Sequence, residues 1–300
     1  MVISASIILI ALVGFFGACI GSFLSVCIYR IPRDESIVRP RSHCPSCGKL
    51  IPWYCNIPVF SWLVLRGRCA NCHARISPRY LILELMTALL FLMVFLQFVS
   101  YVVAVGDMPP PDPFAVGPIV LGLAPLPSFL LVPVYWLVLW GLILGTFVDL
   151  EHYILPDRVT IGGMVAGVVC SVLVPELHLT TSRLLALSRS GIGLLVGFGI
   201  LWLIAIIGEK AFKKEAMGFG DVKLMGAIGA FFGWEAVLFV LFASSLFGSL
   251  AGLALMALGK RDLQGRIPFG PFLALGTLVW MFWGNTIVTA YMRVLFPPMG

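Results

Sequence analysis

The sequence predicts an all-α polytopic membrane protein of about eight transmembrane helices, with one small polar domain between the first two. Three observations predict it. Hydrophobic residues make up 60% of the 300-residue chain and charged residues only 11%, at a mean hydropathy of +1.03. That is more apolar surface than one soluble core can bury. Apolar runs of the roughly 20 residues needed to cross a bilayer recur along the chain. One block, residues 30–80, is polar and basic and holds nine of the 20 Lys and Arg. The net charge of +6 is therefore local, and a nucleic-acid partner is not expected.

The first apolar segment runs from Ile3 to Ile28. It is longer than a signal-peptide core and has no basic residue ahead of it, so it reads as a retained helix. Gly14, Gly17, Ala18, Gly21 and Ser22 give it a face on which another helix can pack closely. The second segment is Tyr80 to Val105, with Glu84 near its start, where it can snorkel or face a polar cleft. A proline-rich stretch, Pro109 to Pro127, carries no Lys or Arg and reads as an external loop. Further segments follow at 129–148, 159–174, 191–208, 222–233, 236–258 and 271–294. The run 222–233 is too short to span a bilayer undistorted, and Gly229 and Gly233 give it a close-packing edge.

Basic residues fall on alternate connections: the 30–80 block, Arg158, the 210–223 group, and Lys260, Arg261 and Arg266. The positive-inside rule places these on the cytoplasmic side and both termini on the periplasmic side.

Within residues 30–80 stand Cys44-Pro45-Ser46-Cys47 and Cys69-Ala70-Asn71-Cys72. Two CxxC knuckles at this separation read as a four-thiolate zinc site. Two disulfides or four free thiols are the competing readings, and a reducing cytoplasm favours metal. A domain this small has little core of its own, so a metal would supply much of its stability. His43, His73 and Cys55 lie nearby and read as bystanders, while Cys19, Cys27 and Cys170 fall in apolar segments and read as core.

Two acidic positions stand out. Asp149 follows the third apolar segment directly, and Asp221 opens the sixth behind Gly218 and Gly220 in the run Met217-Gly218-Phe219-Gly220-Asp221-Val222-Lys223. Ionisable groups at the edge of membrane helices are functional candidates, although Asp221 can also act simply as a helix cap. The glycines permit unusual backbone conformations or close approach of another chain segment. Both aspartates fall on the side assigned to the cytoplasm. Within hydrogen-bond reach the two could not both ionise. That is the arrangement by which one carboxylate takes a proton from water while the other polarises a scissile carbonyl. An ion path through a transporter would place its carboxylates nearer mid-membrane.

With these residues the chain resembles the type IV prepilin peptidases over nearly its whole length. The resemblance rests on the Gly21-Ser22-Phe23-Leu24 to Tyr29-Arg30-Ile31-Pro32 run and on the paired knuckles flanking Trp53 to Val59 and Leu65 to Cys69. It rests also on the Asp149 segment ending in Leu155-Pro156-Asp157, and on Gly218-Phe219-Gly220-Asp221. It implies a catalytic pair, Asp149 and Asp221, in a loop supported by Gly218, Gly220 and Lys223; Asp157, the acidic residue most easily confused with the pair, reads as the cap of the fourth segment, with a catalytic role as the lesser alternative. It implies removal of short basic leaders from prepilins and pseudopilins of pilus or type II secretion systems at the bacterial inner membrane. It further implies N-methylation of the new terminus from S-adenosylmethionine, with Arg66, Gly67, Arg68 and Glu84 associated with that half. The expected divisions are a first helix (1–29), a zinc domain implicated in methylation (30–80) and a peptidase domain (81–300). Ser25 and Leu81 depart from the family's asparagine and proline. A peptidase without methylation, its zinc loop clamping substrate, is the second reading.

Overall fold

The computed structural model describes residues 2–106, 129–213, 217–258 and 268–295, and the proline-rich stretch and Lys260, Arg261 and Arg266 lie outside them. The regular elements among the described residues are helices: α1 (Val2–Arg30), α2 (Phe60–Val64), α3 (Arg79–Gly106), α4 (Leu131–His152), α5 (Asp157–Leu173), α6 (Arg183–Phe212), α7 (Phe219–Ala257) and α8 (Gly270–Leu295), with three short 3-10 turns. Extended pairing among them is limited to two isolated bridges, His43 with Leu50 and Arg68 with Arg75.

Five helical stretches are long and apolar enough to cross a membrane: Ile7–Arg33, Arg79–Val99, Leu131–His152, Arg183–Ala211 and Phe219–Ala257. The expected eight crossings are not all reproduced by that measure. α5 has only 17 residues, and the described apolar part of α8, Gly270–Gly284, is also short. The expected sixth and seventh segments form one 39-residue helical run, α7, broken at Gly233 (φ 82°, ψ 177°). Unbroken, such a helix would extend about 58 Å, nearly twice the roughly 30 Å hydrocarbon core. The break at Gly233 divides it where the sequence places the boundary between two segments, and glycine is there because of its positive φ. α6 begins at Arg183 rather than near Gly191 because Ser182 caps it, its side chain accepting from Leu185 N–H.

The chain divides into two compact units, residues 1–97 with 136–144, and residues 98–135 with 145–300. In the first, the small-residue face of α1 meets α3. A Cβ added at Gly17 would lie 2.8 Å from Ala88 Cα, and one at Gly21 2.7 Å from Glu84 Cα. Phe91 and Trp136 stack at 5.0 Å beside them. In the second, α7 packs against α5, α6 and α8. Gly193 of α6 and Gly229 of α7 bring their backbones into contact, leaving no room for a side chain at either.

Candidate active site and thiol cluster

Asp149 lies on the last turn of α4, which ends at Tyr153 in a left-handed conformation (φ 56°). A carboxylate at a helix C-terminus faces the negative end of its own dipole. The first amide of α8 offsets this: Gly270 N–H donates to Asp149 Oδ2 at 3.0 Å. A Cβ at Gly270 would stand 2.7 Å from the same oxygen, so only glycine lets the helix end come this close. Asp149 is 6% exposed.

Asp221 lies in the first turn of α7, which starts at Phe219 with Gly218 as its cap. It is 8% exposed, and its Oδ1 has no hydrogen-bond partner among the described residues. The carboxylate therefore does not cap the helix. It turns back over Gly218, where an added Cβ would be 3.4 Å from Oδ2. Asp149 is near enough for its charge to act on Asp221. Both carboxyl groups stand at the positive ends of helices, Asp221 at the start of its own and Asp149 at that of α8.

Leu155 joins the two supports. A Cβ at Gly145, one turn before Asp149 on the same face of α4, would meet Leu155 Cδ2 at 3.2 Å. One at Gly220, immediately before Asp221, would meet Leu155 Cβ at 2.8 Å. Neither Gly218 nor Gly220 has a positive φ. Gly220 admits the close approach of the Leu155 side chain, whereas a Cβ at Gly218 would make only an ordinary contact, 3.4 Å from Asp221 Oδ2. Lys223 Nζ pairs with Asp157 Oδ1 at 2.6 Å and lies over the Phe219 ring. Asp157 is thus inside the first turn of α5, whose cap is Pro156, and its expected capping role is corrected: it ties α5 to α7.

Sequence reasoning missed Gly270, Leu155 and Gly145. Leu155 was visible only as part of a motif. Gly270, in Phe269-Gly270-Pro271, reads only as a helix start, and its partner is 121 residues away.

In the other unit, Cys44, Cys47, Cys69 and Cys72 place their sulfurs within 4.8 Å of one another. Cys44 and Cys72 are 3.8 Å apart, the edge expected of a tetrahedron with metal–sulfur bonds of about 2.3 Å. The two knuckles repeat one pattern. Cys44 N–H donates to Lys49 O and Gly48 N–H to Cys44 O, and Cys69 N–H donates to Ala74 O and His73 N–H to Cys69 O. Gly48 and His73, fourth after each leading cysteine, have φ of 68° and 57°. The amides of Cys47 and Ser46 bring the Cys44 thiol down to about 6, and those of Cys72 and Asn71 lower Cys69. The neighbouring sulfurs of Cys69, Cys47 and Cys44 push the Cys72 thiol up instead, and four sulfurs converging on one point, the leading one of each knuckle with a lowered thiol, suit a soft divalent metal.

Arg66, Gly67 and Arg68 form the turn between α2 and the second knuckle. Arg66 and Gly67 have φ of 50° and 64°, and a Cβ at Gly67 would meet Trp62 Cζ2 at 2.8 Å. Glu84 is buried and does not snorkel: its Oε2 accepts from Val59 N–H at 2.6 Å. No hydrogen bond or ion pair among the described residues joins Arg66 or Arg68 to Glu84.

Apolar helices that can cross a membrane, a thiol cluster between the first two of them and a buried carboxylate pair together mark a membrane-bound peptidase. Residues 15–98 match the bacterial peptidase A24 N-terminal domain, and residues 136–253 match the type IV leader peptidase family. The prepilin leader peptidase/N-methyltransferase of Aeromonas salmonicida (strain A449) is 34% identical over 310 residues, covering 95% of this chain and 94% of its own. Its counterpart in Legionella pneumophila is 31% identical over 302 residues, 93% of each chain. That of Myxococcus xanthus (strain DK1622) is 39% identical over 246 residues, 81% of this chain and 62% of its own. No solved structure matches the chain. The chain belongs to the type IV leader peptidase family.

Proposed function

We propose that the chain is a prepilin leader peptidase/N-methyltransferase in which Asp149 and Asp221 form the catalytic pair. The observation that carries this is the buried, unpartnered Oδ1 of Asp221 beside a second carboxylate whose outer oxygen Gly270 holds in place. Within such a pair one carboxylate removes a proton from water. The water oxygen bonds to the scissile carbonyl carbon while the protonated partner hydrogen-bonds to the carbonyl oxygen. The C–N bond then breaks as the leaving nitrogen takes up a proton. Gly218, Gly220 and Lys223 support the Asp221 turn by packing and by the tie to Asp157.

The site lies at the cytoplasmic face of the bacterial inner membrane, both termini are periplasmic, and the substrates are prepilins or pseudopilins of pilus or type II secretion systems. Charge distribution supports the sidedness, and the names of the relatives support the substrate class. Zinc is the metal we assign to Cys44, Cys47, Cys69 and Cys72, and its contribution when bound is to hold residues 30–80 folded. We assign residues 30–80, between the first helix (1–29) and the peptidase part (81–300), to methylation from S-adenosylmethionine. Arg66 and Arg68 are exposed while Glu84 is buried under Val59. These residues do not form a cradle for a methyl donor, and no transfer step is routed through them.

The test is to incubate the purified protein with a leader-bearing prepilin, with and without S-adenosylmethionine, and to weigh the product. Loss of the leader in both, and one added methyl group only with the donor, is the expected result. An unchanged mass in both would overturn the reading.

A further inference from the structure

The thiol-bearing unit carries an apolar surface that its own chain leaves uncovered. α2 is a single turn and a half, and Phe60, Leu63 and Val64 are 63%, 56% and 63% exposed. Their spacing places them on one face of the helix. The opposite face is tied down, because the buried Ser61 donates to Tyr54 O and accepts from Ile57 N–H. The 3-10 turn before α2 (Trp53–Asn56) adds Trp53 and Tyr54, also exposed, with their rings edge to face at 5.9 Å.

Two further observations say what covers this surface. The first is depth. Val59 N–H, at the start of α2, rests on the carboxylate of Glu84, a residue of α3 that lies opposite Gly21 of α1. Counted along the helices at about 1.5 Å per residue, Gly21 lies roughly 14 Å below the end of α1 at Arg30, and Glu84 roughly 8 Å inside the start of α3 at Arg79. Both helices are of the membrane-crossing kind. A helix whose first amide rests on Glu84 is therefore held within about two turns of the start of α3. Val59, a β-branched residue, is held at φ 62° to reach it, a conformation that persists only where its surroundings fix it. The second is charge. Arg66 and Arg68 follow α2 directly and are exposed, and residues 30–80 hold nine Lys and Arg against two acidic residues, Asp34 and Glu35.

We propose that α2 and the Trp53–Asn56 turn form a lipid-binding surface. It lies in the headgroup–acyl boundary of the bilayer that α1 and α3 cross, with Arg66 and Arg68 facing anionic headgroups. Apolar residues on one side of a short helix, aromatic residues at the boundary and cations beside them are what such an interface takes. Glu84 sets the depth of the surface, and the thiol cluster is held flat against the membrane instead of swinging free of it. This depends only on α1 and α3 crossing the bilayer, and goes beyond the peptidase reading.

The test uses the full chain in vesicles of phosphatidylethanolamine and phosphatidylglycerol, without substrate. Photoreactive p-benzoylphenylalanine is placed at Leu63 in one variant and at Phe60 in another; both positions are exposed, so the fold tolerates the probe. After irradiation, mass spectrometry is expected to find phospholipid adducts at both. Absence of lipid adducts at both positions would overturn the proposal. So would adducts formed only with an added leader-bearing prepilin, which would make this a substrate-docking surface.

Discussion

The four thiols are held by hydrogen bonds that close within five residues of each leading cysteine, whereas the two carboxylates depend on groups as far away as 121 residues. Each knuckle brings its own turn, its own left-handed residue and its own amides. The Asp149 carboxylate sits at the unfavourable end of its own helix and is held by the first amide of α8, while the helices bearing Asp149 and Asp221 share the Leu155 side chain. The thiol site is therefore a local construction with the ligand set for a metal, and the carboxylate site joins α4, α7 and α8, with α5 tied to α7 through Asp157, so that a distant change can disturb it.

The largest effect expected from this contrast is at the thiols. Cys44→Ser/Cys69→Ser removes two of four ligands, and elemental analysis of the purified variant is expected to fall from about one zinc per chain to near none, because four-coordinate structural sites do not survive that loss. Retained zinc would place the ligands elsewhere.

Gly270→Ala tests the distant support. The methyl group would stand 2.7 Å from Asp149 Oδ2, too close for the carboxylate to keep its place. Displacing a catalytic group by about 1 Å can lower turnover on the order of 100-fold. The expected outcome is a fall in kcat with little change in KM and with zinc content unchanged.

Gly220→Ala tests the shared wedge more gently. Its methyl group would overlap Leu155, and overpacking of this kind costs roughly 1–3 kcal/mol. Adding Leu155→Ala in the same chain is expected to restore part of the lost stability and turnover. A double variant no better than the sum of the single ones would remove the wedge.

The smallest effect lies in the connection between α5 and α6. His178 Nε2 is 2.8 Å from Ser171 Oγ and 3.3 Å from the Ala230 carbonyl oxygen, beside the break at Gly233. Burial pushes its pKa down to about 4 from the ordinary 6.5, and the nearby Arg189 acts in the same direction. Between those values the unfolded chain binds more protons than the folded one, so the contribution of His178 is complete above about pH 6.5 and is lost as the pH falls toward about 4. The Tm of the wild type is expected to drop more steeply over that range than the Tm of His178→Asn. Parallel curves would contradict it.

The same contrast explains what was legible in the sequence. The knuckles could be read because their spacing is their geometry. Asp149 and Asp221 could be read as helix-edge carboxylates, and the small-residue face of α1 as a packing face. The roles of Gly270 and Leu155 could not, because a glycine at a helix start and a leucine before a proline carry no local mark of a partner far along the chain. Asp157 read as a cap because acidic residues favour helix starts, and the pairing that outweighs capping comes from Lys223, 66 residues later. The division at Gly233 was visible as two apolar segments, but not that they form one broken helix.

The most direct test of the carboxylate pair is to measure prepilin cleavage by Asp149→Asn and Asp221→Asn, each matched to wild type for the amount inserted in the membrane. Asparagine keeps the size of the side chain and its contact with Gly270 or Gly218 but cannot exchange a proton. A fall of roughly 100-fold to 10,000-fold in each variant is the expected result, and cleavage by either at close to the wild-type rate would contradict the assignment.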